Sequence, residues 1–233
     1  MITGASRGIG RAVARAYTRE GAKVFICARN KAAVNRVVSE IRADGGQIGG
    51  ESGDIGTEED VKRIVQAAVD QFAGIDVIVN NASILGPRDP IASYPPAAWD
   101  EVLRINLTGL FLVTQRVLQV MIPRRQGSII NISSSVGRIG RAGWGAYAAS
   151  KFGVEGFTQV LAGEVKEFGL RANAVNPGAT RTQMRAAAHP EEDPRILPAP
   201  DEITEVFVYL ASDEAAGVNG ESLDARGWLR RCH

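Results

Sequence analysis

Cysteine is scarce: Cys27 and Cys232 are the only two in 233 residues. Without repeated spacing they build neither a disulfide scaffold nor a thiolate metal site, so no metal is expected. Such usage suits the reducing cytoplasm. An excess of either charge is also lacking, with 27 basic against 26 acidic residues. That balance leaves no electrostatic footprint for nucleic acid. The local pairs Arg124-Arg125 and Arg230-Arg231 read as solvated surface. No apolar run reaches the ~20 residues that span a bilayer, and no signal peptide precedes the first motif, so no membrane partner is expected. Repeats, low-complexity linkers and a domain boundary are missing too. What remains is one α/β domain over residues 1–233, with enough apolar residues (45%) for a core.

Strand-like and helix-like segments alternate. Lys23–Ala28, Ile75–Asn80, Ser128–Ile132 and Arg171–Asn176 are short runs rich in β-formers. Amphipathic stretches run over Gly8–Glu20, Lys31–Ala43, Thr57–Phe72, Pro96–Met121, Ala146–Phe168 and Asp201–Ala211. Thr57 offers a capping hydroxyl, with acids in the following turn where the helix dipole favours them, and Asp201-Glu202 does the same for the last helix. Alternation of this kind predicts a doubly wound, Rossmann-type parallel sheet with helices on both faces. The third strand is poorly written: Gly45–Asp54 holds five glycines, and a short strand is placed near Gln47–Gly53. The first strand is shorter still, because only three residues precede Gly4. A central strand ordinarily runs ~5–6 residues, so we expect the first strand to be truncated by a late start. Intact-mass measurement of the natural protein tests that expectation. Ile84–Pro96 and Ala186–Pro200, with four prolines each, read as lid-like loops.

Thr3–Gly10 reads TGASRGIG. Gly4, Gly8 and Gly10 permit a tight turn and close approach of a pyrophosphate, which the following helix meets with free N–H groups. Ser6, Arg7 and Ile9 fill the rest of this nucleotide loop. A carboxylate at the end of the second strand would bind a ribose 2′-hydroxyl and favour NAD. Here the strand ends Cys27-Ala28-Arg29-Asn30, and Arg29 suits a 2′-phosphate, with Arg7 as a second contact. NADP(H) is therefore expected, and NAD(H) is the weaker candidate.

Tyr147 and Lys151 lie four apart in an expected helix and so share one face. A phenol near pKa ~10 is a poor acid–base group at neutral pH, and a neighbouring ammonium is expected to lower it. Tyr147 would then exchange a proton with a carbonyl or alcohol oxygen as hydride moves, and Ser134, thirteen residues earlier, would bond the same oxygen. Each feature alone is ordinary surface or turn chemistry. Together, downstream of a glycine loop, they describe an oxidoreductase.

With these motifs the whole chain resembles the short-chain dehydrogenase/reductase family, and the 3-oxoacyl-carrier-protein reductases within it. The resemblance implies that Asn106, Ser134, Tyr147 and Lys151 form a catalytic tetrad, with Asn106 shaping a helix kink and holding a water. Lys151, beside Tyr147, would also bind the nicotinamide ribose. It further implies cofactor contacts at Asp54-Ile55 (adenine), at Asn81, Ala82 and Ser83 (Ser83 standing where glycine is usual), and along Pro177, Gly178, Thr180 and Thr182 (the nicotinamide amide). The tail Leu223–Trp228 departs from the usual Val-Asp-Gly-Gly and resembles a less common bacterial branch. Expected substrates are small carbonyls or secondary alcohols, among them 3-oxoacyl thioesters. Arg124 and Arg125 are candidates for docking an acyl carrier protein, although Phe168 replaces a customary base. Trp144, Ile84, Leu85 and Met184 are expected in the pocket wall. Gly153, Gly156 and Gly163 in one helix suggest close helix approach in a homotetramer or homodimer. Two alternatives stand beside this reading: a non-catalytic NADP sensor, and an extended-type sugar-nucleotide epimerase or dehydratase.

Overall fold

The computed structural model describes residues 1–228; the expectations on Arg230, Arg231 and Cys232 lie outside the described residues. The strands are β1 (Ile2–Thr3), β2 (Val24–Ala28), β3 (Ile48–Ser52), β4 (Val77–Asn80), β5 (Gly127–Ile132), β6 (Leu170–Asn176) and β7 (Ser222–Asp224). The helices are α1 (Gly8–Arg19), α2 (Lys31–Ala43), α3 (Glu58–Phe72), α4 (Pro96–Leu103), α5 (Gly109–Arg124), α6 (Gly145–Val165), α7 (Gln183–Ala188), α8 (Glu205–Ala211) and α9 (Ala225–Trp228). The strands form one parallel sheet in the order β3-β2-β1-β4-β5-β6-β7. Strand order reverses between β1 and β4, which opens a crevice at their carboxyl ends.

Alternation along each strand splits the core between the two faces. Ile26 and Ile130 pack with Val13 and Tyr17 of α1, Val34 and Ile41 of α2, and Phe207 and Leu210 of α8. Their neighbours Phe25, Cys27 and Ile129 point the other way, to Ile64 of α3, Val117 and Met121 of α5, and Leu161 of α6. Phe207 is fully buried, and its truncation to alanine would cost about 3–5 kcal/mol.

Sequence and structure agree on the sheet and on the main helices. β1 is two residues long: Ile2 pairs with Ile26 and Val79, and the Met1 carbonyl accepts from the Val79 N–H at 2.9 Å. β3 forms despite its glycines because the helices press onto it. A Cβ on Gly50 would meet Val34 of α2 at 2.8 Å, and one on Gly49 would overlap the amide of Gln71 on α3.

Three local expectations need correction. Thr57 does not cap α3; its hydroxyl donates to the Asp54 carbonyl, and the Asp60 carboxylate takes the Asp54 N–H instead. Asp201-Glu202 sit in a 3-10 turn, Pro200–Ile203, where Glu202 accepts from the Ala199 N–H, and α8 starts later at Glu205. The loop expected from Ala186 is helical at its start, because Thr182 caps α7 by accepting from the Arg185 N–H. Pro96–Arg124 is long and apolar enough to cross a membrane by length and average composition, yet Asp100, Glu101, Arg104 and Arg116 break it and it holds no apolar run of ~20 residues; 44% of its most apolar window is buried in the fold. That composition follows from packing α5 on the sheet through Val113, Val117 and Met121.

Candidate active site

The glycine loop leaves β1 at the sheet's reversal point. Gly4 has φ +65°, and a Cβ there would lie 2.7 Å from the Ala82 Cα; one on Gly10 would lie 2.5 Å from the Asn81 amide nitrogen. Backbone packing against Ala82, just past β4, thus demands glycine at position 4, while the Asn81 side chain and the loop's own backbone at Gly4 and Ala5 crowd position 10. The Asn81 amide donates to the carbonyls of Thr3 and Gly4 at 2.8 and 3.0 Å, and the Thr3 hydroxyl accepts from the N–H groups of Asn81 and Ala82. Asn81 and Ala82 therefore hold the loop in place. Helix α1 begins at Gly8; Arg7 before it supplies no side-chain cap, and no acid stands in its first turn. Its leading N–H groups and positive end are left for an anion, so this cradle fits a dinucleotide pyrophosphate.

Around it, Gly8 (φ +56°) lies against Thr182 at the start of α7, and the Arg7 guanidinium donates to Gln183 at 2.6 Å. Arg29 is exposed at the end of β2, and its charge reaches Asp54 and Glu101. Asp54 follows β3, and Ile55 is buried against Gly109 at the start of α5. Burial alone would raise the Asp54 carboxyl, but the Arg104 guanidinium at 2.8 Å and the Gly56 N–H at 2.9 Å hold it below its usual value. Pro177, Gly178 and the buried Thr180 follow β6, so they share the carboxyl edge with the glycine loop.

Asn106 lies in a π-helical turn, Arg104–Thr108, between α4 and α5. The widened turn breaks the α-helical register at the place where a kink is expected. Its buried amide accepts from the Ile84 N–H at 2.8 Å and donates to the Ile84 carbonyl at 2.9 Å and to the Ser150 hydroxyl at 3.1 Å. Asn106 thereby ties the Ile84 loop to α6, and Ser150 in turn donates to the Tyr147 carbonyl at 2.7 Å. Lys151 is 2% exposed; its ammonium donates to the Ile132 carbonyl at 2.7 Å and stands 5.6 Å from the Tyr147 ring centre. Ser134 opens a 3-10 turn just past β5. Its neighbour Ser133 faces another way and bonds Glu155.

The electrostatics correct one expectation. Burial pushes the Tyr147 phenol up to about 12, and the Ser134 and Ser83 hydroxyls within its reach offset this only in part. Desolvation therefore outweighs any help from Lys151. The same burial brings the Lys151 ammonium down to about 8, against the opposing field of Glu155. Tyr147 is thus a neutral phenol across the physiological range, a weaker acid than a free phenol, and its proton leaves only to an oxygen on which negative charge develops.

One wall beside Tyr147 is aromatic. The Trp144 ring lies 5.8 Å from Tyr147 and 5.8 Å from His189, and the Arg88 guanidinium sits 4.6 Å over it. Arg88 also donates to the Ala188 carbonyl, joining the Ile84–Pro96 loop to the end of α7. Ile84 is fixed by Asn106, while Leu85 and Met184 are half-buried on the flanking loop and on α7. Arg88, His189, Arg104 and Glu155 were not legible from sequence; only Glu155 carried a signal, one turn beyond Lys151. Arg124 and Arg125 lie at the opposite, amino edge of the sheet, just before β5. Arg124 pairs with Asp76 at 2.8 Å and Arg125 donates to the Glu167 carbonyl, so neither flanks the mouth of this site.

Known proteins give the arrangement a context. A family described as short chain dehydrogenase matches residues 1–193. The oxidoreductase YciK of Escherichia coli K12 is 40% identical over 97% of this chain and 90% of its own length, and its solved structure superposes with a TM-score of 0.91. The 3-oxoacyl-[acyl-carrier-protein] reductase FabG of Vibrio cholerae is 38% identical over 98% of this chain and 96% of its own. A short chain dehydrogenase of Shigella flexneri 2a, solved in complex with NADP, is 41% identical over 97% of this chain and 96% of its own, with a TM-score of 0.92.

Proposed function

The chain belongs to the short-chain dehydrogenase family, and from that premise we propose that it is an NADP(H)-dependent reductase of small carbonyl compounds in which Tyr147 is the proton donor. As a member of the family it is an NAD(P)-dependent oxidoreductase acting on CH–OH and C=O groups. Neither the sensor nor the epimerase alternative gains support from these relatives.

A bound nicotinamide supplies the hydride. The glycine loop and the start of α1 hold the pyrophosphate, with Ser6, Ile9, Asp54, Ile55, Ser83, Pro177, Gly178, Thr180 and Thr182 completing the berth. Arg29 and Arg7 provide planar forks for a 2′-phosphate, and no acid stands at the end of β2 to favour NAD. The Shigella relative, solved with NADP, supports the same choice. Tyr147 donates its proton to the carbonyl oxygen, which Ser134 steadies by a second hydrogen bond. Lys151, with a pKa of about 8, exchanges protons near neutrality and restores the phenol. Asn106 keeps the Ile84 loop and α6 in register around them. The observation that carries this reading is geometric: a half-buried phenol with the Ser134 hydroxyl within its reach and the buried Lys151 ammonium 5.6 Å from its ring centre, at the crevice where the glycine loop leaves the sheet.

Among substrates, the FabG relative favours 3-oxoacyl thioesters, with Trp144 as the apolar wall. Assembly as a homotetramer or homodimer is supported by the outer face of α6, where the exposed Phe152 and the 61%-exposed Val160 lie beside Gly156 and Gly163, which among the described residues have open space beyond them. Gly153 differs, being packed on Leu107 within the chain. The buried free thiol of Cys27 suits the cytoplasm. A panel of ketones, quinones and 3-oxoacyl thioesters with NADPH and NADH tests the proposal. Turnover with NADPH supports it; turnover with NADH alone, or binding without turnover of any carbonyl, contradicts it.

A further inference from the structure

Glu155 is 8% exposed and lies one helical turn beyond Lys151 on α6. A buried carboxylate is retained only with good partners. This one accepts from the Ser133 hydroxyl at 2.5 Å and from the Ser222 hydroxyl of β7 at 2.9 Å. The Arg138 guanidinium, 3.5 Å away, is itself shared with Asp224 at 3.0 Å. Lys151, from the same face of α6, holds the Ile132 carbonyl. Two opposite charges four residues apart thus grip consecutive residues at the end of β5, and Ser134 is the next residue in the chain.

We infer that Glu155 is a positioning residue of the reductase site, fixing the Ser133–Ser134 end of β5 against α6 and keeping the Lys151 amine protonated. The catalytic consequence rests on the function proposed above; the electrostatic one does not. The carboxylate makes no ion pair with the ammonium, each being held by other partners; it acts through space from one turn away on the same helix face and favours the charged form by about 1 pKa unit. The direction agrees with the field of Glu155 opposing the burial of Lys151. The other charged and titratable groups facing this end of α6 are Tyr147 on the helix itself, Arg138 from the turn after β5, Asp224 from β7, and, across Trp144 at the start of the helix, Arg88 and His189. Neutral Ser133, Ser134 and Asn106 complete the surroundings from β5 and the π-turn.

The test titrates Lys151 directly in the nucleotide-free full chain, by NMR of 13Cε-labelled lysine, with the resonance assigned through Lys151→Met. Glu155→Gln keeps the shape and removes the charge. The Lys151 midpoint should fall by about 1 unit, and in the active enzyme kcat should drop with NADPH affinity retained. A midpoint equal to wild type overturns the inference. Should Glu155→Gln not fold, Ser222→Ala decides. The Ser222 hydroxyl also accepts from the Arg138 guanidinium at 2.6 Å, so its loss loosens the cation that offsets the carboxylate, and the midpoint should rise by roughly a few tenths of a unit; an unmoved or lowered midpoint overturns the inference. If the wild type reduces no carbonyl with NADPH, the proposed function fails, while the lysine titration still decides whether Glu155 holds Lys151 protonated.

Discussion

Replacing Gly4 by alanine tests whether the nucleotide loop is built as described. Two costs add. At φ +65° an L-residue with a Cβ pays about 1–2 kcal/mol. The new Cβ would also stand 2.7 Å from the Ala82 Cα and 3.0 Å from its nitrogen. These atoms cannot rotate away, and forced packing of this kind costs about 1–3 kcal/mol. The sum is about 2–5 kcal/mol. At about 2–4 °C per kcal/mol for a chain of this size, Tm should fall by roughly 4–20 °C. Gly45→Ala separates the two contributions, since Gly45 has φ +87° with nothing within 4 Å; it should lose only the backbone part, about 1–2 kcal/mol. Thermal unfolding with and without NADPH is the assay. Wild type should gain about 2.7 kcal/mol at a hundredfold excess of NADPH over its Kd, and Gly4→Ala should gain less at the same concentration. If Gly4→Ala loses no more stability than Gly45→Ala and keeps the full NADPH gain, the contact between the glycine loop and Ala82 is wrong.

Three further outcomes follow from the same structure. Arg29→Ala should weaken NADPH about tenfold, the lower end for an exposed charged contact, and leave NADH unchanged in side-by-side titrations. In the pH profile of kcat/KM, reduction should decline as pH rises through about 8, where Lys151 loses its proton; the phenol, near 12, stays protonated throughout, so a flat profile from pH 7 to 10 contradicts the assignment. Val160→Glu places a charge on the outer face of α6 and should shift sedimentation toward the monomer, whereas a wild type already monomeric at micromolar concentration removes the proposed assembly.

The residues that announced this site are those whose type is fixed by chemistry. Gly4 and Gly10 could be read because close backbone approach admits no other residue, and Tyr147 and Lys151 because helix spacing joins them. The structure supplied what depends on depth. Sequence shows an ammonium beside a phenol but not how far both are desolvated, and desolvation reverses the expected shift of Tyr147. It also hid β7, three residues with two of them exposed, because an edge strand so short has no periodicity to display. α7 was obscured by the prolines that follow it, although Thr182 before three alanines was a capping signal. Arg88 came from a loop, and only folding stacks it on Trp144.

The most direct test of the account is turnover by Tyr147→Phe, with NADPH and whichever carbonyl of the panel the wild type reduces best. Loss of one oxygen should lower kcat by about 10²–10⁴-fold, the range of a general acid, while the Kd for NADPH stays within about threefold, a change below 1 kcal/mol. A Tyr147→Phe enzyme that turns over at the wild-type rate contradicts the account.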